Sequence, residues 1–421
     1  MNNKTKYHWI TIAVCCALAA SAIGICNNSV GVFFAPVSNE LGIGRGAFAL
    51  HATISNLVAG LLCPMGIMLS RKYNYRAVMS IGIVMASGAT MLMSLGGDVW
   101  LYYVLGAVRG IGCSLFALPT IAAIIGNWFE EKHGFAMGLT LSFSGLSGAI
   151  FSPMFSSIII ASGWRIAYII MGALIAILAL PGTLFILKFK PEEKNLLPYG
   201  ALASKATEVE VKDKTKSKIK LLSKPVIIMA IFAFLSSSIC GIAQHFPGYT
   251  VSVGSTATLG ATMISAGMIG NIVFKLILGV MSDKFGPIKS CTIMGASNIL
   301  SLVLLSFVDP NQSFVVMLAI TFMYGAVYAV GAVGIPLLTR YVFGSEKYAS
   351  VYSYIFMFTS IGSASSLTII GLLYDYFKTY QIGIIGGIIF GSVNLILLVV
   401  LKKIKQTNEN KNEELQEYVI N

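Results

Sequence analysis

Acidic residues are scarce in this chain. Only 17 of its 421 residues are Asp or Glu, and charged residues of both signs make up 11%. A soluble domain carries about 25%, so the chain cannot clothe a water-facing surface. None of the acids falls deep inside an apolar run; all lie in loops, at helix ends or in the tail. That excludes the buried carboxylate pair an intramembrane hydrolase would use. The H-E-x-x-H metal signature is missing too, as is a nucleophile with its base, so no enzyme is expected. There is no C-x-x-C pair. Cys15, Cys16, Cys26, Cys63, Cys113, Cys240 and Cys291 all fall in apolar runs and are odd in number. They read as buried hydrophobes, with no disulfide framework, metal site or cofactor. No segment offers an ordered signalling domain, which excludes a sensor.

What is present is apolar: 56% of the residues are hydrophobic and 42 are glycine. Small residues let helices approach closely in lipid. A membrane helix takes roughly 20 apolar residues. Twelve runs qualify: 9–37, 46–69, 77–97, 99–126, 136–160, 164–187, 225–250, 257–281, 290–308, 312–338, 349–373 and 381–401. The first follows Lys4 and Lys6, and Ala20-Ser21-Ala22 has the look of a signal-peptide cleavage site. The run continues to Val37, however, so it reads as an uncleaved first span.

The net charge of +12 is a topology signal. With both termini on one side, 24 of the 29 Lys and Arg residues fall on that side, ten of them between Lys188 and Lys224. Only Arg45, Arg165 and Lys378 fall on the other, and Arg109 and Lys275 lie within spans. Both termini are therefore expected in the cytoplasm, in a multi-pass protein of the cell (inner) membrane that binds no nucleic acid. The organisation expected is a six-span bundle over 1–187, a basic cytoplasmic linker over 188–224, a second six-span bundle over 225–401 and a polar, disordered tail over 402–421. The linker reads as solvated, with the bilayer surface as its available partner.

The halves resemble each other. Gly66-Ile-Met-Leu-Ser-Arg71 ends the second span, as Gly279-Val-Met-Ser-Asp283-Lys284 ends the eighth. Glu131-Lys132 aligns with Glu346-Lys347 at nearly the same offset. Parallel repeats imply a pseudo-two-fold axis along the membrane normal and a site between the halves. Gly279-Val-Met-Ser-Asp-Lys-Phe-Gly286 closely resembles the G-x-x-x-D-[RK]-x-G loop of the major facilitator superfamily; the first-half copy has Ser70 and Tyr73 in place of Asp and Gly. Asn127-Trp-Phe-Glu-Glu-Lys-His-Gly134, Gly145-Leu-Ser-Gly148 and Gly163-Trp-Arg165 resemble the monocarboxylate-transporter and oxalate/formate-antiporter branch, as does Val32-Phe-Phe-Ala-Pro-Val-Ser-Asn-Glu-Leu-Gly42. The resemblance implies an all-α membrane protein of twelve transmembrane helices in two pseudo-symmetric bundles. It also implies alternating-access transport of a small organic anion by a chain that works as a monomer.

A cation inside a span is costly and needs a reason. Lys275 lies about 12 Å inside the loop at Asp283. It either snorkels to the interface or attracts a substrate carboxylate. By resemblance, Asn271-x-x-x-Lys275 occupies the place where monocarboxylate transporters show Asp-x-x-x-Arg, so the branch's proton-carrying carboxylate is replaced by Asn271. The first-span lysine is replaced by Asn28, which aligns roughly with Gln244 across the repeat. Both are candidate pocket donors, and Gln244-His-Phe-Pro247 reads as a helix break. Tyr324 and Tyr328, spaced i, i+4, either cage a small carboxylate or pack as aromatics. Asp283, Lys284, Gly279, Gly286 and Arg71 match a conformational gate. Arg109 resembles a span-four arginine motif, with a structural or gating role or a substrate contact. His51 and His245 either take part in proton coupling or sit as interfacial histidines. With no span carboxylate, exchange or facilitated diffusion is expected rather than obligatory proton symport. Efflux of a drug or neutral solute is the alternative, although the Gly-Pro pair of such antiporters is absent at Gly145-Leu146.

Overall fold

The computed structural model describes residues 3–116, 118–201, 223–255, 257–307 and 313–420. Most of the linker, 202–222, thus lies outside the described residues, as do the side chains of Arg45 and Arg71. α1 (Asn3–Ala19) widens into a π-helical stretch, Ala20–Asn28, then passes through a short turn into α2 (Phe34–Leu41). α3 (Arg45–Lys72), α4 (Tyr75–Leu92), α5 (Val99–Phe116) with α6 (Leu118–Trp128), α7 (His133–Ser162) and α8 (Trp164–Pro181) complete the first half. The second half opens with α9 (Lys224–Cys240), a 3-10 turn at Gly241–His245 and α10 (Phe246–Ser252). It continues through α11 (Ala257–Phe285), α12 (Pro287–Ser306), α13 (Phe314–Tyr324), α14 (Ala326–Ala329), α15 (Ile335–Phe377) and α16 (Gln381–Ile420).

Among the described residues, eleven stretches are long and apolar enough to cross a bilayer. The longest, Phe314–Gly371, holds two spans, because Gly344 breaks α15 with φ of +73°. That conformation strains any side chain with a Cβ. Each of the twelve expected runs is therefore helical over most of its described residues. Hydrogen bonding explains the uniformity, since a backbone in hydrocarbon must satisfy itself and a helix does so within one segment. Ile81, Val84, Ile160 and Ile177 are exposed on the outside of the bundles, a surface suited to lipid tails rather than water.

The halves meet along two seams, α7 against α11 and α3 against α15. The first depends on close approach. A methyl group on Gly279 would strike the carbonyl oxygen of Gly134, and one on Gly138 would lie 2.5 Å from that of Lys275. Small residues one turn apart let the two backbones touch, as in other membrane helix pairs.

Two expectations at the face carrying both termini are revised. The first part of the linker is docked rather than solvated. The Trp128 indole N–H donates to the Lys188 carbonyl (2.8 Å) and the Asn127 amide to that of Phe189 (3.1 Å). The Tyr199 N–H donates to the Trp128 carbonyl (2.8 Å). The tail expected to be disordered continues α16 as helix to Ile420. It is rich in Lys, Glu and Gln, which form helix readily, and contains no Gly or Pro to end it.

Candidate functional site

Midway along the first seam, three spans converge on Ser144. The Lys275 ammonium, on α11, reaches across to the other half and donates to Ser144 Oγ (3.0 Å) and the Leu141 carbonyl (3.2 Å). Asn28, at the end of the π-helical stretch, donates from Nδ2 to the Ser144 carbonyl (3.0 Å). The Ser144 hydroxyl itself donates to Leu141 (2.7 Å). Lys275 is only 4% exposed, and it bonds across the membrane interior instead of extending toward the terminal face. The π-helical stretch spreads the backbone ring and leaves polar groups for other partners, a device frequent at functional sites. Ser147 uses one of them, donating to the Ala20 carbonyl (3.1 Å).

Asn271 lies one turn before Lys275 on the same face and is equally buried. Its amide nitrogen makes a weak contact with Met268 Sδ (3.8 Å), and its Oδ1 has no hydrogen-bond partner. The Cys240 thiol, at the end of α9, is close enough to feel the lysine charge. Lys275 therefore has only neutral partners here. A buried ammonium bonded by a hydroxyl and a carbonyl has two of its three donors engaged and its charge uncancelled, and an anion is the group that cancels it.

The remaining predicted residues form a second layer. Tyr328 donates to the Cys240 carbonyl (3.4 Å) and Tyr324 to the Ile239 carbonyl (2.5 Å). Their rings meet edge to face at 6.1 Å. They thus hold the two carbonyls freed where α9 tightens into the 3-10 turn. Tyr328 borders the lysine through Cys240, whereas Tyr324 is fully buried behind it. Gln244 is exposed within the 3-10 turn, and its side chain is not brought to Ser144. The break expected near Pro247 falls at Gly241–His245, with Pro247 inside the first turn of α10, where a proline costs no helical bond. His51 is buried, its Nδ1 bonded to the Phe48 carbonyl (2.5 Å); His245 is half-buried with its ring 5.6 Å from that of Tyr380. Arg109 lies wholly inside the first bundle, Nε on Ser55 Oγ at 3.1 Å.

The terminal-face end of the seam is closed by a latch. Asp283 Oδ1 accepts the Gly134 N–H (2.7 Å) and Oδ2 that of Phe135 (2.8 Å). A carboxylate of one half thus caps the first turn of α7 in the other, where free N–H groups and the helix dipole favour negative charge. Arg340 adds a second crossing contact, donating to the Phe129 carbonyl (3.1 Å). Lys284 is exposed beside the latch, and Gly286 turns the chain into α12 with φ of +83°. Ser144 and Arg340 escaped the sequence reading. Serine is common in membrane helices, and Arg340 registered only as a topology charge.

A pair of six-span bundles that meet on crossing helices, latched at one end, belongs to the class of transporters that rock one bundle against the other. A family model described as Major Facilitator Superfamily matches residues 14–367 and 247–419, and the chain belongs to that superfamily. Among its relatives, monocarboxylate transporter 12 of Xenopus laevis is 25% identical, over 85% of this chain and 82% of that protein. The oxalate:formate antiporter of Oxalobacter formigenes is 26% identical, over 76% and 74%. The crystal structure of the E. coli fucose:proton symporter FucP superposes with a TM-score of 0.68 at 14% identity, covering 94% of this chain and 99% of that one, and so shares the fold.

Proposed function

We propose that this transporter carries a small, monocarboxylate-like organic anion across the cell (inner) membrane, as a monomer with both termini in the cytoplasm. The reading rests on one observation above all: the Lys275 ammonium is buried on the seam between halves with neutral partners only. In this reading the substrate carboxylate takes that charge, with Asn28, Asn271 and Ser144 supplying polar contacts and Tyr328 a wall. Rocking opens the site to one face and then the other, and Asp283 latches the terminal face in the outward-open state. The names of two relatives, a monocarboxylate transporter and an oxalate:formate antiporter, agree with such a substrate.

The test is uptake of labelled formate, lactate and oxalate into proteoliposomes. Lys275→Gln removes the charge and keeps a hydrogen-bonding group on a side chain one atom shorter. Uptake is expected to fall at least about tenfold, roughly the 1.4 kcal/mol or more that a charge-assisted bond is worth, with reconstitution unchanged. Uptake equal to wild type would overturn the reading.

A further inference from the structure

Asp283 can cap α7 only if the turn before that helix aims the Gly134 and Phe135 amides at the other half. Lys132 makes that turn, as the residue preceding α7, with φ of +55° and ψ of +25°. A side chain with a Cβ rarely adopts this left-handed conformation. Residues held there persist where their surroundings over-determine them, often at switches. The equivalent turn of the second half, between the tenth and eleventh spans, falls at Gly344, where φ of +73° needs no outside support.

The support for Lys132 comes from the docked start of the linker. Tyr199 pairs with Phe129 in a short parallel bridge. Its carbonyl accepts the N–H groups of Glu130 (3.1 Å) and Glu131 (3.0 Å), and its own N–H donates to the Trp128 carbonyl (2.8 Å). Its ring lies 5.5 Å from that of Phe129, and the Lys132 ammonium sits 5.8 Å from the ring centre. Gly200 follows with φ of +85°, and a methyl group there would lie 2.3 Å from Glu131 Cγ. The segment therefore closes on the turn only with glycine at this place. His8 anchors it to α1, through a ring nitrogen 2.9 Å from the Leu197 carbonyl. Each of these contacts is to the first half. From the other half, Arg340 takes the Phe129 carbonyl (3.1 Å) and Asp283 takes the α7 amides. The turn is thus gripped from two sides, and only one grip is lost when the halves part at this face.

We propose that Tyr199 and Gly200 are positioning residues of the transport cycle. They hold the Lys132 turn in the form that receives Asp283, so the docked start of the linker sets how readily the terminal face closes. The inference rests on the reading of Asp283 as a latch that opens as the halves rock.

The experiment measures opening of the terminal face directly, with no substrate present. Spin labels on Lys72→Cys in the first half and Lys289→Cys in the second, both exposed positions, report the distance between halves in the full-length protein. Cys240→Ser removes the half-buried native thiol. Asp283→Asn sets the scale, with a several-fold fall in the ratio of closed to open molecules. Gly200→Ala and Tyr199→Ala are each expected to lower that ratio several-fold as well. Tyr199→Phe, which keeps the ring and the backbone bonds, is expected to match the labelled parent. Lys132→Gly can make the turn unaided and is expected to restore the closed population in Tyr199→Ala. Tyr199→Ala decides the matter if Gly200→Ala fails to fold. A segment that only stabilises the fold would lower the unfolding temperature in these variants and leave the ratio unmoved. That result, beside a shift in Asp283→Asn, would overturn the inference and leave the latch standing. No restoration by Lys132→Gly would overturn it too. No shift in Asp283→Asn or in either Gly200→Ala or Tyr199→Ala would overturn the latch reading itself, and this inference with it.

Discussion

Lys275 binds its neighbours strongly enough to be held and weakly enough to let go. A hydrogen bond from a charged group is worth about 1.5–3 kcal/mol net, and the lysine makes two across the seam. A carboxylate about 4 Å away contributes about 4 kcal/mol at an effective dielectric near 20. The two are comparable, which suits reversible binding. The same arithmetic predicts the effect of Asn271→Asp. A carboxylate one turn away on the same face supplies that attraction permanently and occupies the lysine. Anion uptake at pH 7 is expected to fall at least tenfold. It should recover as pH drops and the new carboxyl, held charged by the lysine, is finally protonated. Uptake measured from pH 7.5 to 4.5 checks this, and a pH-independent loss would contradict it. Lys275 was legible in the sequence because a cation in an apolar run is costly wherever it points. Its partner Ser144 was not, because only the crossing of α7 over α11 distinguishes that serine from Ser142 or Ser147.

Helices carry the latch. Asp283 fits the N-terminus of α7 because Gly134 and Gly279 let the two backbones touch, so the geometry belongs to a pair of elements, not to one side chain. Asp283→Asn removes the charge that favours the helix dipole, worth about 0.3–1 kcal/mol and up to about 2 when partly buried. It also turns an amide N–H toward one of the two backbone donors. Turnover is expected to fall several-fold, with KM changed less than twofold, because the latch lies about 12 Å along α11 from Lys275. Initial rates over a range of substrate concentrations decide it; a large rise in KM at unchanged maximal rate would place Asp283 in the binding site instead. The G-x-x-x-D-K-x-G spacing made this latch legible, since it fixes both the glycine and the acid. The docked 188–201 segment was illegible for the opposite reason. It is held largely through its own backbone groups, the carbonyls of Lys188 and Phe189 and the amide of Tyr199. Those groups leave no mark in a lysine-rich sequence that otherwise reads as solvated.

At the scale of the whole molecule, the question is whether the empty carrier can reorient. In the proposed cycle, rocking carries Lys275 through a closed state in which its charge faces only neutral groups. With a carboxylate bound the pair crosses neutral, and without one the return step moves an uncancelled cation at a cost of several kcal/mol. The loaded carrier should therefore reorient much faster than the empty one. Proton symport would relieve this if a span carboxylate titrated with the substrate, but the acids all lie outside the span interiors and Asn271 stands beside the lysine. Vesicles loaded with formate and a pH-sensitive dye test the consequence. Exchange against external formate is expected to exceed net efflux at least about tenfold, each decade reflecting about 1.4 kcal/mol between loaded and empty barriers. An imposed pH gradient should drive little accumulation. Of the four histidines in the candidate spans, His8 and His133 lie at the terminal-face ends and His51 and His245 toward the other end; a histidine's ordinary value is near neutral, so the double variant His51→Gln, His245→Gln belongs in the same assay. One proton moving per substrate in wild type and double variant alike would refute exchange and exclude both of these histidines as the proton carrier.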